Sequence, residues 1–213
     1  MNMAATPERR YVPAAGRDFF LRFYDPLTRL FGGRKILLTL LEQAALQPGL
    51  NVLDVGCGTG TVVVRIKQLH PTIELIGLDP DPKALAIAAA KAARAGVAVR
   101  FDRGFADRLP YEDGSFDRVF SSLMFHHLRR DDRPKVLAEI HRVLKPGGSL
   151  EFVDIAGGGH GFLVRLLHGR PAAQPPGEDR MLARLREAGF GDARKVADRR
   201  TGFGPIAYYH ARR

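Results

Sequence analysis

The sequence predicts an α/β protein in which a mainly parallel sheet is covered by helices on both faces. Short apolar runs alternate with stretches whose apolar side chains recur at helical spacing, a pattern typical of strand–helix–strand units. A glycine-rich loop separates the first central run from the helix that follows it. No unit of about 20–50 residues repeats, which excludes a solenoid or a propeller.

The length and composition favour one compact domain. A chain of 213 residues that is 45% hydrophobic is long enough to bury a core. We expect residues 1–46 to form an N-terminal arm and lid helices, and residues 47–213 to form the main domain. The first lid helix is predicted between Phe19 and Phe31, where apolar residues recur at helical spacing before Gly32-Gly33. The second covers roughly residues 34–46.

The central elements follow from apolar periodicity. Strands are predicted at 51–55, 73–78, 97–102, 117–121 and 149–154. Helices are predicted at 62–69, 82–95 and 132–144, the last with Asp131 or Asp132 as N-cap and with Lys145-Pro-Gly-Gly148 as its stop.

The pattern changes after Asp154. A glycine run, a short amphipathic piece and a proline-rich stretch predict a flexible insertion at 156–177. A helix at 178–188 follows, and two strand-like runs around 193–198 and 205–211 predict an antiparallel edge to the sheet.

Charge and cysteine content limit the protein class. The formal net charge is +10, but the excess lies mainly in residues 160–213, which hold 11 basic and 5 acidic side chains. We interpret this region as a solvated surface, and nucleic-acid binding is therefore disfavoured. A single cysteine, Cys57, allows neither an internal disulfide nor a cysteine-based zinc site. With no apolar run near ~20 residues and no visible signal segment, we expect a cytoplasmic protein without a membrane span.

The glycine-rich loop Gly56-Cys-Gly-Thr-Gly60 lies where α/β sheets bind ligands, beyond the carboxyl end of a strand. Its spacing departs from the dinucleotide pattern G-x-G-x-x-G because position 61 is Thr. Asp54 would repel a pyrophosphate on the loop but would suit a positively charged ligand. S-adenosylmethionine is such a ligand, whereas the alternative is that the loop is only a tight connection.

Asp79 follows the second strand at about the distance from the glycine loop that suits a ribose-binding carboxylate. The alternative is a turn or cap residue in Asp79-Pro-Asp-Pro82.

Five motifs in residues 50–155 carry a family resemblance. They are Val52-Leu-Asp-Val-Gly-Cys-Gly-Thr-Gly60, Gly77-Leu-Asp79, Leu109-Pro-Tyr-Glu-Asp-Gly-Ser-Phe-Asp117, His126-His-Leu128 and Arg142-Val-Leu-Lys-Pro-Gly-Gly148. Together they resemble the class I S-adenosylmethionine-dependent methyltransferases, in the small-molecule branch that includes quinone-biosynthesis enzymes. The resemblance implies a seven-stranded Rossmann-like sheet of order 3-2-1-4-5-7-6 whose last strand is antiparallel. It also implies S-adenosyl-L-homocysteine as product.

The same resemblance assigns roles around the cofactor. Asp54 and the backbone of Gly56, Cys57, Gly58 and Gly60 would hold the methionine end, and we expect the backbone of Ser121 to contact the same end. Asp79 would bind the ribose and Pro80 would pack on the adenine. The family usually places an acidic residue where this chain has Phe105. We expect Phe105 either to pack on the base, with the Ala106 N–H meeting a ring nitrogen, or to be an ordinary core residue.

His126 and His127 follow the fourth strand, where the family places its acceptor. A histidine base is well matched to neutral pH, and the alternative is a pair of loop histidines that only cap a helix or face solvent. Lid residues are predicted at Tyr11 and Tyr24, and at Phe162 and Leu166 of the insertion. Their alternative role is ordinary packing.

The sequence lacks motifs of several other methyltransferase classes, and this limits the class of acceptor molecule. The chain has Ser121-Ser-Leu-Met-Phe125 where nucleic-acid amino methyltransferases usually carry an Asn/Asp-Pro-Pro-Tyr/Phe run, and it lacks the paired glutamates of protein-arginine methyltransferases. No cluster has metal-ligand spacing, so we expect no metal. The sequence thus favours methyl transfer to a small-molecule acceptor. An RNA-directed enzyme that uses the basic C-terminal region and a non-catalytic S-adenosylmethionine-binding regulatory protein are the alternatives, and the oligomeric state stays open.

Overall fold

The computed structural model describes residues 33–156, 178–201 and 204–213. The predicted lid residues Tyr11, Tyr24, Phe162 and Leu166 lie outside these ranges, as does nearly all of the predicted insertion. None of the helices within these ranges has the length and apolar character needed to cross a membrane.

Seven strands and five α-helices make up the described chain. The strands are β1 Asn51–Val55, β2 Glu74–Asp79, β3 Arg100–Arg103, β4 Phe116–Ser122, β5 Leu144–Ile155, β6 Gly191–Thr201 and β7 Gly204–Arg212. The helices are α1 Gly33–Ala44, α2 Thr61–Leu69, α3 Pro82–Arg94, α4 Arg133–Val143 and α5 Glu178–Glu187, with a 3-10 turn at Phe125–His127.

The strands form one sheet in the order β3-β2-β1-β4-β5-β7-β6. Strands β1 to β5 pair in parallel, whereas β7 is antiparallel to both β5 and β6. The predicted fold class, strand order and antiparallel last strand are therefore confirmed. The parallel strands bring their carboxyl ends to one edge of the sheet, where the glycine loop and the His126-His127 turn both begin.

Both faces of the sheet are buried. In β1, residues 52–55 are all buried, as expected for a parallel strand between two helical layers. One core cluster includes Val136 of α4 and Leu185 of α5, and the other includes Leu40 of α1 and Ile66 of α2. The helices thus cover the sheet from opposite sides and leave its carboxyl edge as the place where loops converge.

The largest boundary difference concerns β5. The sequence predicts a stop at Lys145-Pro-Gly-Gly148, but β5 begins at Leu144, which pairs with Phe116. The Lys145 Nζ donates to both carboxylate oxygens of Asp117, at 3.0 and 2.9 Å, and ties this extended segment to β4. Asp132 stands at the predicted N-cap of α4, but its side chain makes no capping hydrogen bond.

Candidate active site

The backbone of the glycine loop is left-handed at three positions, with φ of +74° at Gly56, +51° at Gly58 and +75° at Gly60. A Cβ at Gly56 would lie 2.3 Å from Cγ of Met124, and one at Gly60 would lie 2.7 Å from Cβ of Ala88. A Cβ at Gly58 would meet nothing within 4 Å. The outer glycines are thus required by packing, while Gly58 presents its backbone to open space.

Hydrogen bonds from two directions hold the loop. The N–H groups of Gly56 and Cys57 donate to the carbonyl of Leu78, at 2.8 and 3.0 Å. On the other side, the Lys91 ammonium of α3 donates to the hydroxyls of Thr61, at 2.9 Å, and Thr59, at 3.3 Å. Sequence reasoning missed Lys91 because a lysine on a helix carries no local sign of a tertiary partner.

Asp54 is the most unusual group beside the loop. It is 1% exposed, and neither carboxylate oxygen has a hydrogen-bond partner within the part of the chain that the structure describes. Burial, and then the negative charge of Asp79, raise its pKa to about 8. The buried Ser121 hydroxyl, on the neighbouring strand β4, has no described partner either.

These unpartnered groups fit the methionine end of S-adenosylmethionine. A buried carboxylate without donors is costly unless a ligand supplies them. The ammonium of the methionine end offers donors, and the sulfonium offers a compensating positive charge. The chemistry of Asp54 and Ser121 therefore matches the cofactor that the sequence predicts.

Asp79 both shapes a turn and faces the glycine loop. One carboxylate oxygen accepts from the Asp81 N–H at 2.9 Å, and the other accepts from the Gly58 N–H at 2.9 Å. Burial raises its pKa, against the lowering effect of these two N–H donors. Asp79 thus has the turn role that was considered as the alternative. Each carboxylate oxygen still has a lone pair that can accept from a further donor.

The residues predicted around the adenine lie on two segments that meet at the backbone of Asp79. The Gly104 N–H donates to the Asp79 carbonyl at 3.2 Å, which holds the start of the Phe105–Ala106 segment beside β2. Pro80, Phe105 and Ala106 are all partly buried. Among the described residues, Phe105 is a member of neither core cluster.

The structure distinguishes the two histidines. Nδ1 of His126 lies 2.7 Å from Oδ1 of Asp154, and its backbone N–H donates to Oδ2 at 3.1 Å. Asp154 is 3% exposed and ends β5 at the carboxyl edge of the sheet. In the neutral imidazole we therefore assign the proton to Nδ1 and the lone pair to Nε2. The His127 ring lies 4.0 Å from that of His126.

The residue that orients His126 was missed by sequence reasoning. Asp154 is 28 positions away along the chain and belongs to a different strand. Its only sequence signal is that it is a carboxylate at the end of a predicted strand, where parallel sheets gather functional groups.

A side-chain clamp holds the segment that follows Phe105. The Arg142 guanidinium donates to the carbonyls of Leu109, at 3.1 Å, and Tyr111, at 2.8 Å, and forms two 2.8 Å bonds with Glu139. Glu139 in turn accepts from the Leu109 N–H at 2.7 Å, and its pKa is lowered mainly by Arg142. Helix α4 thus fixes the backbone of this segment at two points.

Cys57 has no sign of nucleophilic reactivity. Its side chain is buried, and burial followed by the negative charges of Asp54 and Asp79 raises the pKa of its thiol. Among the described residues, no group of three or more His, Cys, Asp or Glu side chains could hold a metal ion.

Comparisons with known proteins agree with this geometry. Residues 52–148 match the family described as a methyltransferase domain. A demethylmenaquinone methyltransferase of Thermus thermophilus is 37% identical over 153 residues, which cover 67% of each chain. A demethylmenaquinone methyltransferase of Deinococcus radiodurans is 42% identical over 119 residues, 54% of this chain and 48% of that one. The chain spans about half the length of several curated relatives that it matches.

Solved structures share the fold at lower identity. An S-adenosylmethionine-dependent methyltransferase from Aquifex aeolicus superposes with a TM-score of 0.72 at 22% identity, covering 92% of this chain and 99% of that one. Phosphoethanolamine N-methyltransferase 2 of Haemonchus contortus, with S-adenosyl-L-methionine bound, superposes with a TM-score of 0.78 at 16% identity. The superposition covers 93% of this chain and 57% of that one. At these identities the likeness shows the fold alone.

Proposed function

This chain belongs to the class I S-adenosylmethionine-dependent methyltransferase family, and on that premise we propose that it transfers a methyl group to a small-molecule acceptor. The observation that supports this proposal most is Asp54, a buried carboxylate with no described hydrogen-bond partner beside the glycine loop. The names of the Thermus and Deinococcus relatives describe action on demethylmenaquinone, a small molecule, and support a small-molecule acceptor here.

In this proposal the cofactor lies along the carboxyl edge of the sheet. Asp54, Ser121 and the backbone of Gly56–Gly60 hold its methionine end. Asp79 accepts hydrogen bonds from the ribose hydroxyls, while Pro80 and the Phe105–Ala106 segment border the adenine. The open space at Gly58 supports this arrangement, since a ligand there meets backbone rather than a side chain.

When bound, S-adenosylmethionine supplies a methyl group on a positively charged sulfur, ready for in-line displacement. The chain's main task is to align the acceptor with that methyl group. We assign a second task to His126, whose Nε2 takes the proton that a hydroxyl or amine acceptor loses. Asp154 is a positioning residue, because it holds Nδ1–H and stabilises the imidazolium that forms.

A cytoplasmic location is part of the proposal. It is supported by the lone, buried Cys57, which suits a reducing compartment.

Two measurements test the proposal in sequence. Calorimetry with S-adenosylmethionine, S-adenosyl-L-homocysteine, NAD and NADP comes first, and we expect the first two alone to bind. The protein is then incubated with isotopically methyl-labelled S-adenosylmethionine and a metabolite extract, and mass spectrometry identifies labelled small molecules. Binding of NAD or NADP instead, or tight cofactor binding without labelled small-molecule product from any extract, would overturn it.

A further inference from the structure

Arg133 is a buried charge with an unused donor. It is the first residue of α4 and is 1% exposed. Its Nε donates to the Leu128 carbonyl at 3.3 Å, and its guanidinium carbon lies 5.6 Å from the centre of the Phe125 ring. Its Nη2 is buried and has no acceptor within residues 33–156, 178–201 and 204–213. A buried guanidinium N–H without an acceptor carries a desolvation penalty that requires an explanation.

A second arginine shows the same feature. Nη1 of Arg184, in α5, is buried and likewise lacks an acceptor among the described residues. Helices α4 and α5 contact each other, and Val136 of α4 and Leu185 of α5 belong to the same core cluster. In agreement with this packing, the positive charge of Arg184 lowers the pKa of Arg133, as the second cause after burial. Like charges repel each other, and a pair of which one is buried and the other partly buried is costly unless an anion compensates it.

Among the described residues, a single carboxylate, that of Asp154, acts electrostatically on Arg133, and it can balance only one of the two positive charges. Asp154 raises the pKa of Arg133 and therefore lies within its electrostatic reach. Its oxygens, however, already accept from the ring and backbone nitrogens of His126 and from the Ile155 N–H. Two arginine charges face one carboxylate, and the exposed Arg130 adds to the positive side. At least one positive charge is therefore left unbalanced, together with two unused N–H donors.

We propose that Arg133 and Arg184 form an oxyanion subsite that binds a carboxylate or phosphate group on the methyl acceptor. Guanidinium N–H groups match the oxygens of either group in geometry and charge. One bound anion would neutralise the remaining charge and satisfy both donors. The inference rests on the proposed function, because it takes the ligand to be the acceptor rather than an effector.

The position of Arg133 along the chain relates the subsite to the chemistry. Arg133 follows the turn that carries His126, and Asp154 contacts His126 while it interacts electrostatically with Arg133. An acceptor anchored by its anionic group would therefore hold a separate nucleophile on the His126 side. The acceptor class is an organic acid or phosphate ester with a second, methylatable group.

The test uses the whole chain without cofactor, so that it is independent of methyl transfer. Benzoate and inorganic phosphate are the anionic probes, and benzamide is the neutral match to benzoate. Binding is titrated by NMR at constant ionic strength for the wild type, Arg184→Met, Arg184→Lys and Arg186→Met. Arg186 is exposed on the same helix and controls for loss of a positive charge. Calorimetry with S-adenosylmethionine on each variant reports separately on the cofactor site.

We expect saturable binding of benzoate, phosphate or both to the wild type, and at least tenfold weaker binding to Arg184→Met. Arg184→Lys should retain part of the affinity, and Arg186→Met should bind like the wild type. A preference for benzoate identifies a carboxylate acceptor, and a preference for phosphate identifies a phosphorylated one. Equal binding of benzamide and benzoate, an equal loss in Arg186→Met, or no saturable anion binding to a folded wild type would overturn the inference. Because cofactor binding is measured separately, failure of the subsite is distinguishable from failure of the proposed function.

Discussion

The two halves of the carboxyl edge differ in the type of buried group that lacks a described hydrogen-bond partner. On the side of β1 and β2, the buried groups without described partners include the Asp54 carboxylate, which calls for a cation or a donor. On the side of α4 and α5, they are the guanidinium groups of Arg133 and Arg184, which call for an anion. In our proposals, this difference assigns the cationic cofactor to the β1–β2 side and an anionic group of the acceptor to the α4–α5 side.

The largest expected effect comes from removing His126, the proposed base on the α4–α5 side. We expect His126→Ala to lower kcat by roughly 10²–10⁴-fold, the range of a lost general base, while S-adenosylmethionine affinity stays unchanged. His127→Ala should lose much less. Steady-state kinetics with an identified acceptor, together with cofactor calorimetry, decides the matter. Equal losses in the two variants would contradict the special role that the Asp154 contact gives to His126.

The cofactor half is probed by Asp79→Ala. This change removes the acceptor of the Gly58 N–H and the proposed acceptor of the ribose hydroxyls. We expect S-adenosylmethionine to bind about 1–3 kcal/mol more weakly, as for loss of a charged hydrogen-bonding partner. Asp131→Ala, an exposed aspartate near α4, is the control. Affinity equal to that of the control would remove Asp79 from the cofactor site.

The pH dependence of cofactor binding tests Asp54 directly. Its pKa of about 8 means that the free protein holds this carboxyl protonated near neutral pH, whereas a bound cation favours the carboxylate. Binding should therefore release about one proton at pH 6. The net release should be much smaller at pH 8, because half of the carboxyl groups are already ionised and the ligand's α-amino group takes up protons as it binds in its ammonium form. Calorimetry in buffers of different ionisation enthalpy measures this release, and Asp54→Asn should abolish it.

The same carboxyl affects stability in the free protein. Since its folded-state pKa lies above the ordinary value of 3.8, its contribution to stability is complete below about pH 4 and is lost as pH rises through about 8. Asp54→Asn should flatten this part of the pH–stability profile measured by chemical denaturation. A profile identical to that of the wild type would show that the carboxyl is not buried in its protonated form.

The smallest expected effect concerns the clamp between α4 and the segment after Phe105. Arg142→Met removes bonds to the carbonyls of Leu109 and Tyr111, so the adenine border should loosen. We expect a severalfold rise in the Kd of S-adenosylmethionine, with kcat at saturating cofactor nearly unchanged. Arg142→Lys should recover part of the lost cofactor affinity. A loss confined to kcat would show that the clamp serves the acceptor half instead.

The two halves also differ in how far they could be predicted. Asp54, the glycines and Asp79 belong to one strand–loop–helix–strand unit, whose glycine loop and characteristic spacing mark them in the sequence. The partners of the acceptor half come from distant segments: Asp154 is 28 positions from His126, and Arg184 belongs to another helix than Arg133. Nothing local signals such pairs, because tertiary packing creates them. The early start of β5 was missed for the same reason. Pro146 and the glycines after it predict the end of a helix, and only the pairing of Leu144 with Phe116 makes this segment part of a strand.

The contact between Gly56 and Met124 joins these halves physically. A Cβ at position 56 would lie 2.3 Å from the Met124 side chain, which immediately precedes the turn that carries His126. The glycine loop and the His126 turn are therefore in direct contact, and a change of backbone in one loop affects the other. Variants selected for a new acceptor would meet an evolutionary constraint at residue 124, where a bulkier or β-branched side chain presses on the cofactor loop.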